Sequence, residues 1–309
     1  MGDKTGISWT DATWNPLAGC SRVSEGCRRC YAELEAHRLG ERLGQTKYQG
    51  LTKLVGGEPR WTGDVRLWEP ALDQPLRWKR PRRIFVNSMS DLFHEAVPDE
   101  WIDQILGIMA LATQHTFQVL TKRPRRMLDW WLARKPAVWS DPKADEPDLS
   151  NVCWGVSVED QATADARIPL LLKTPAAVRW VSYEPALGEV HFEPWLPYTD
   201  ALAKLAGYRM ARGAIAWGHL SPLSWIVVGG ESGPGARPFD LGWARSTVAQ
   251  CRAAGVPVFV KQLGAAPYQR QIGSEWAGDL GRQFIRLKDR KGGDLAEWAE
   301  DLRVREFPR

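Results

Sequence analysis

The sequence predicts an α/β chain in which parallel strands alternate with helices, a (β/α) barrel or partial barrel. Three observations point there. Six short apolar or β-branched runs, each ending in polar residues, read as strands buried on both faces. Helical periodicity fills several of the intervals between them. The chain has 309 residues, 44% of them hydrophobic and 25% charged, which suits a globular protein with a substantial core.

Taken in order, TWNPLAGC (13–20) reads as a first strand leading straight into a cysteine-bearing loop, and YAELEAHRLGERLG (31–44) as the first helix. RIFVNSMSD (83–91) is the next strand. PDEWIDQILGIMALATQ (98–114) repeats apolar residues at intervals of three and four, and Pro98, Asp99 and Glu100 suit a first helical turn. TFQVLTKRP (116–124), VCWGVSVED (152–160), VRWVSYEP (178–185) and WIVVGGESG (225–233) read as strands. LGWARSTVAQCRAAG (241–255) is a helix capped by Gly255, and VPVFVKQLG (256–264) is the last strand. Residues 45–80 and 186–224 break the alternation as irregular insertions, and 265–309 form a C-terminal extension of a single domain covering 1–309. WSDPKADEPDLSN (139–151) reads as a surface loop.

No apolar run is long enough to span a bilayer, and MGDKTGISWTD at the N-terminus lacks an apolar signal core. The expected location is cytoplasmic and reducing, with no membrane partner. There, five cysteines with three clustered read as a metal or redox site rather than a disulfide framework. Cys153 and Cys251 are expected in the core. The net charge is only +4, but KRPRR occurs twice, at 79–83 and 122–126, and there are 17 tryptophans. Chemistry in a (β/α) barrel collects at the C-terminal strand ends. Arg82 and Arg83 precede a strand and face away from that rim, whereas Lys122 and Arg123 follow one and belong to it.

The strand ends carry a consistent polar set: Asn87, Ser88 and Asp91; Thr121, Lys122 and Arg123; Ser157, Glu159 and Asp160; Ser182, Tyr183 and Glu184; Glu231 and Ser232; Lys261 and Gln262. Ionisable and amide groups gathered at one mouth suit binding of a cofactor and a substrate. GGESGPG (229–235) adds flexible backbone for close ligand approach, but lacks the Gly-Lys-Ser/Thr of a phosphate loop.

The cysteines are Cys20, Cys27 and Cys30, separated by six and then two residues. One reading is a structural zinc site completed by a residue such as His37, although His37 sits nearly two turns into a helix. The other is an iron–sulfur cluster on three thiolates, which leaves one iron open to a small molecule. S-adenosylmethionine would fill that position through its amino and carboxylate groups and be cleaved to a 5′-deoxyadenosyl radical.

TWNPLAGCSRVSEGCRRCYAE, FVNSMSDLFHE, TKRP, WGVSVE, IVVGGESGPGARP and VFVKQLG, in this order over about residues 8–265, resemble the three-Cys-motif phage protein family, radical-SAM-like proteins of phages and bacteria. The resemblance implies a radical-SAM-type partial barrel with a [4Fe-4S] cluster on Cys20, Cys27 and Cys30, S-adenosylmethionine as cosubstrate, and an electron donor such as flavodoxin or ferredoxin. The chain departs from the usual radical SAM spacing of three residues between the first two cysteines, and has Arg29, with Tyr31 just after, around the last one.

By position, Asn87, Ser88 and Asp91 are expected near the cofactor's methionine end and Ser157 and Glu159 near its ribose, with Tyr31 also expected to contact the cofactor. Glu184, Glu231 and Lys261 are expected to serve catalysis, and Lys122, Arg123 and Ser232 to contact substrate. The basic rim and many tryptophans favour a nucleic acid or nucleotide substrate, with spore photoproduct lyase an analogue at fold level only. The competing class is a zinc-stabilised nucleic-acid-binding scaffold without catalysis.

Overall fold

Parallel strands alternate with helices as expected for the α/β class, and the computed structural model describes residues 5–139, 149–206, 222–270 and 281–308. Most of the surface loop expected at 139–151, part of the 186–224 insertion and part of the tail lie outside the described residues. The chain divides into two units, Met1–Val156 with Lys173–Val178, and Ser157–Leu172 with Arg179–Arg309.

The first unit is built on four strands in the order β1 (Ala12–Trp14), β2 (Arg83–Val86), β3 (Thr116–Thr121) and β4 (Val152–Val158). Their pairings are parallel and in step: Ala12 faces Ile84, Ile84 faces Phe117, and Phe117 faces Val152. Partners in register share a face, so Trp14, Val86, Val119 and Trp154 form one row, all buried. On that face the Trp14 and Phe117 rings lie 5.8 Å apart. The alternate residues Phe85, Gln118 and Cys153 take the other face, where the Trp9 ring meets Phe85 at 4.8 Å and the Trp9 carbonyl accepts from Gln118 Nε2 at 3.2 Å. Cys153 is a core residue, as expected.

The first helix, α1 (Tyr31–His37), starts at the last clustered cysteine and runs into a π-helical turn, Arg38–Arg42. Helix α2 (Asp99–Leu111) links β2 to β3 and buries Ile102, Ile105 and Met109 at helical spacing, and α3 (Pro124–Trp139) follows β3. Strand β1 is shorter than the sequence suggested, because Pro16 has no N–H to continue the ladder. Leu17–Ala18 pair instead, antiparallel, with Arg66–Leu67. Strand β2 stops where Asn87 takes a left-handed φ of 59°. The 45–80 insertion holds an antiparallel hairpin, Thr52–Val55 against Glu58–Trp61.

The second unit carries α4 (Gln161–Lys173), then three parallel strands in the order β5 (Val178–Tyr183), β6 (Trp225–Gly229) and β7 (Val258–Gln262). Ile226 faces Val181 on one side and Val258 on the other. Helix α5 (Leu241–Ala254) is capped at both ends: the Asp240 carboxylate accepts from Gly242 N at 2.8 Å, and Gly255 closes the helix at φ 68°. Cys251 lies in its buried stripe. The tail returns to β7, where Val260 N donates to the Val304 carbonyl at 2.9 Å. Among the described residues, no helix is long and apolar enough to cross a membrane.

Candidate functional site

The cysteine loop leaves the first strand through Gly19, whose φ is 93°. A Cβ there would stand 2.1 Å from the Asp64 carbonyl oxygen, so only glycine fits. A single 3-10 turn, Glu25–Cys27, carries the second cysteine, and Cys30 occupies the cap position of α1. Tight turns thus gather three sulfurs from eleven residues of chain at the end of β1.

Two ion pairs, one half-buried and one buried, hold this loop. Arg22 clasps the Glu33 carboxylate of α1, with Nε 3.0 Å from Oε1 and Nη2 2.5 Å from Oε2, and also donates to the Arg28 carbonyl at 2.8 Å. Glu33 is 2% exposed and also accepts from Trp61 N at 3.2 Å, tying the loop to the hairpin. Arg123, from the turn after β3, donates to Asp91 Oδ2 at 3.0 Å, to Glu95 Oε2 at 2.8 Å, and to the carbonyl and hydroxyl of Ser21 at 3.2 and 2.8 Å. Its guanidinium also stands 3.9 Å from Cys20 Sγ. Asp91 accepts in addition from Thr121 Oγ1 at 2.7 Å, Lys122 N at 3.1 Å and Phe93 N at 3.0 Å. His94 Nδ1 accepts from Ala96 N at 3.1 Å, so its Nε2 carries the proton and donates to Ser21 Oγ at 2.8 Å. Burial, then the Arg123 charge, hold His94 below its ordinary range, which favours that neutral tautomer.

These contacts engage several of the expected site residues within the protein itself. Arg123, read as a substrate contact, has a side chain only 4% exposed and spends its guanidinium on Asp91, Glu95 and Ser21. Asp91, read as a cofactor contact, is the buried anion beneath it. Ser88 donates to Asn15 Oδ1 at 3.1 Å and accepts at its carbonyl from the exposed Tyr31 hydroxyl at 2.6 Å, so these two meet beside the loop. Asn87 accepts from Leu17 N at 3.3 Å. Lys122 is half-buried at the same turn. Sequence reasoning missed Ser21, Arg22, Glu33, His94 and Glu95. Their local signal is weak: only the presence of acids within reach of each arginine in the fold marks them.

The donor set suits a metal group. Burial, then Asp91, push the Cys20 thiol up to about 12, although the Arg123 cation opposes this, and Cys27 and Cys30 lie close enough to act on it electrostatically. Burial likewise raises Cys30. Three soft sulfurs, two of them with burial working against the thiolate, fit a group that displaces the thiol protons. Among the described residues no group of three or more His, Cys, Asp and Glu side chains is arranged to hold a metal ion. His37, weighed as a fourth zinc ligand, shares a hydrogen bond with Thr52 Oγ1 at 3.2 Å.

The second unit brings together Glu184 and Lys261: Nζ lies 2.7 and 2.9 Å from the carboxylate oxygens, and Gln262 Nε2 adds a donor at 3.2 Å. Gln262 also donates to the Gly230 carbonyl at 2.9 Å. A Cβ on Gly230 would stand 2.6 Å from the Leu263 carbonyl oxygen, so glycine is required for this close approach of β6 and β7 ends. Glu231 does not join the pair. Its carboxylate accepts from Arg237 N at 2.9 Å and from the Arg237 guanidinium at 2.7 Å. Ser232 is half-buried on the loop between them. Ser157 and Glu159 are buried, and both are gripped by Arg167 of α4, which reaches the Ser157 carbonyl at 2.7 Å and Glu159 Oε2 at 3.0 Å.

Among solved structures, a cysteine-to-serine variant of spore photoproduct lyase is similar to this chain with a TM-score of 0.41 at 10% identity, covering 93% of this chain and 72% of its own. Spore photoproduct lyase complexed with dinucleoside spore photoproduct gives a TM-score of 0.39 at 10% identity over the same shares. Likeness at this level transfers no residue roles and no substrate. No curated protein matches the chain at a significant level. A family profile matches residues 4–294, and over that span the chain belongs to the family described as "Protein of unknown function (DUF5131)".

Proposed function

We propose that the chain is a radical-SAM-type enzyme, similar to the three-Cys-motif phage proteins, with a [4Fe-4S] cluster on Cys20, Cys27 and Cys30. One observation carries the reading: three cysteines in one loop at a strand end, pinned by the Arg22–Glu33 and Arg123–Asp91 pairs. When bound, the cluster would supply reductive cleavage of S-adenosylmethionine at its open iron.

The chain's own residues have separate tasks. Arg123 fixes the loop through Ser21 and sets a cation beside Cys20, which favours the anionic sulfur over the thiol. Glu33 orients Arg22 against the loop. Tyr31 and Ser88 offer polar groups beside the cysteine loop. In the second unit, Glu184 and Lys261 form a half-buried acid–base pair able to bind a hydroxyl or amine or to pass a proton. The substrate class we favour is a nucleic acid or nucleotide, for the exposed Arg125 and half-buried Lys122 of the second KRPRR stretch, Arg123 being turned inward; the electron donor would be a flavodoxin or ferredoxin, in a reducing cytoplasm.

The test is electron paramagnetic resonance of anaerobically purified, dithionite-reduced protein with and without S-adenosylmethionine. A reduced-cluster signal that changes on adding S-adenosylmethionine is the expected result. Protein that resists cluster reconstitution and holds one zinc ion per chain would overturn the proposal in favour of a nucleic-acid-binding scaffold.

A further inference from the structure

Away from the cysteines, the first unit contains a cavity of about 530 Å³ beside β1, with Thr13, Asn15, Gln45, Lys47, Trp68 and Arg77 among its lining residues. That volume lies within the roughly 300–1,000 Å³ of small-molecule sites. None of the clustered cysteines, nor Asp91 or Arg123, lines it, and neither does any carboxylate.

Lys47 is the unusual member. It is only 9% exposed, yet among the described residues its ammonium meets a single hydrogen-bond acceptor, the Asn15 carbonyl at 2.6 Å, and the face of the Tyr48 ring at 5.3 Å. A buried ammonium is ordinarily paired with an acid, because desolvation of the charge is otherwise uncompensated. Here burial holds it down to about 8, with no acid among the described residues acting on it. Even so, at neutral pH it remains a cation with donor capacity to spare. Arg77 adds a second, exposed cation on the cavity wall, itself paired with Asp73 at 2.7 Å. Thr13, Gln45 and Gln74 add neutral hydrogen-bonding groups, and Trp68 adds an apolar surface.

We propose that this cavity binds a small metabolite bearing an oxyanion, phosphate or carboxylate, with Lys47 as its buried charge contact and Arg77 as its outer one. The anion would complete the hydrogen bonding of the ammonium and offset the cost of its burial. The Trp68 side would accept the ligand's apolar part. This site does not depend on the cluster reading.

The test titrates inorganic phosphate, and in parallel malonate, into the full-length chain in a buffer without competing anions, followed by calorimetry and by melting temperature. Saturable one-to-one binding of at least one probe, with a rise in melting temperature, is expected, and the stronger probe identifies the oxyanion. Lys47→Met should weaken that binding at least about ten-fold, and Lys47→Arg should retain most of it. Arg77→Gln, at an exposed position that folding does not depend on, should weaken it a few-fold. Absence of saturable binding by both probes overturns the proposal, as does affinity unchanged in the Lys47→Met and Arg77→Gln variants. If Lys47→Met does not fold, affinity unchanged in Arg77→Gln overturns it alone.

Discussion

Arg123 and Asp91 are both buried, and removing one charge strands the other. Arg123→Gln should therefore cost about 3–5 kcal/mol of stability, read by chemical denaturation. Adding Asp91→Asn should recover more than about 1 kcal/mol of that loss, since the orphaned anion is then gone. Strict additivity of the two substitutions would mean the pair is not coupled. Lys47 makes a complementary case, an isolated cation. Its folded value of about 8 lies below its ordinary 10.5. The sign follows from linkage: the ammonium's burial destabilises the fold in full below about pH 8, and that cost is relieved as pH rises from 8 to 10.5. The separation corresponds to roughly 3 kcal/mol. The charged and titratable groups near it are Tyr48, Arg66, which binds the Lys47 carbonyl at 3.1 Å, and Arg77 across the cavity. Stability measured for Lys47→Met should equal or exceed that of the native chain at pH 7 in anion-free buffer, and the difference should shrink towards pH 10. A difference that does not vary with pH would assign Lys47 a well-compensated charge.

At the scale of elements, the cysteine loop depends on one backbone position more than on its length. Gly19 and Gly255 both have positive φ, but only Gly19 has a neighbour, the Asp64 carbonyl, where a Cβ must go. Gly255→Ala should cost about 1 kcal/mol, the strain of a left-handed alanine at a helix cap. Gly19→Ala must also displace backbone, and should cost about 1–3 kcal/mol more and lower the iron bound after reconstitution. Equal losses of stability in the two variants would mean that the loop accommodates the methyl group. The strands themselves were legible in sequence because a buried parallel strand must be apolar along its length, as in VCWGVSV and WIVVG. Their ends were less so. Pro16 and the left-handed Asn87 end β1 and β2, and of these only proline announces itself by residue type.

Across the whole molecule, a candidate site was more legible in the sequence than the roles within it. Cysteine spacing names three sulfurs because few other side chains bind soft metals. An arginine or glutamate, by contrast, takes its role from whichever partner the fold supplies. Thus Arg123 turned inward, Glu231 went to Arg237, and Glu33, an unremarked residue of a first helical turn, became the anchor of the loop. The same partition gives the last prediction. Cys20, Cys27, Cys30 and the groups that pin them all belong to the first unit, whereas Glu184 and Lys261 belong to the second. The Glu184–Lys261 pair can be neutralised without leaving a lone buried charge, because both partners are removed together. Glu184→Gln with Lys261→Met should therefore leave reconstituted iron per chain and the reduced-cluster resonance unchanged. Turnover should fall by about 100-fold or more if the pair carries a proton in the reaction. Iron lost along with turnover would show that the pair supports the fold of the cysteine site. Iron retained with full turnover would remove Glu184 and Lys261 from the chemistry and move the search for the proton-transfer group to Tyr31 and Ser88, beside the cysteines themselves.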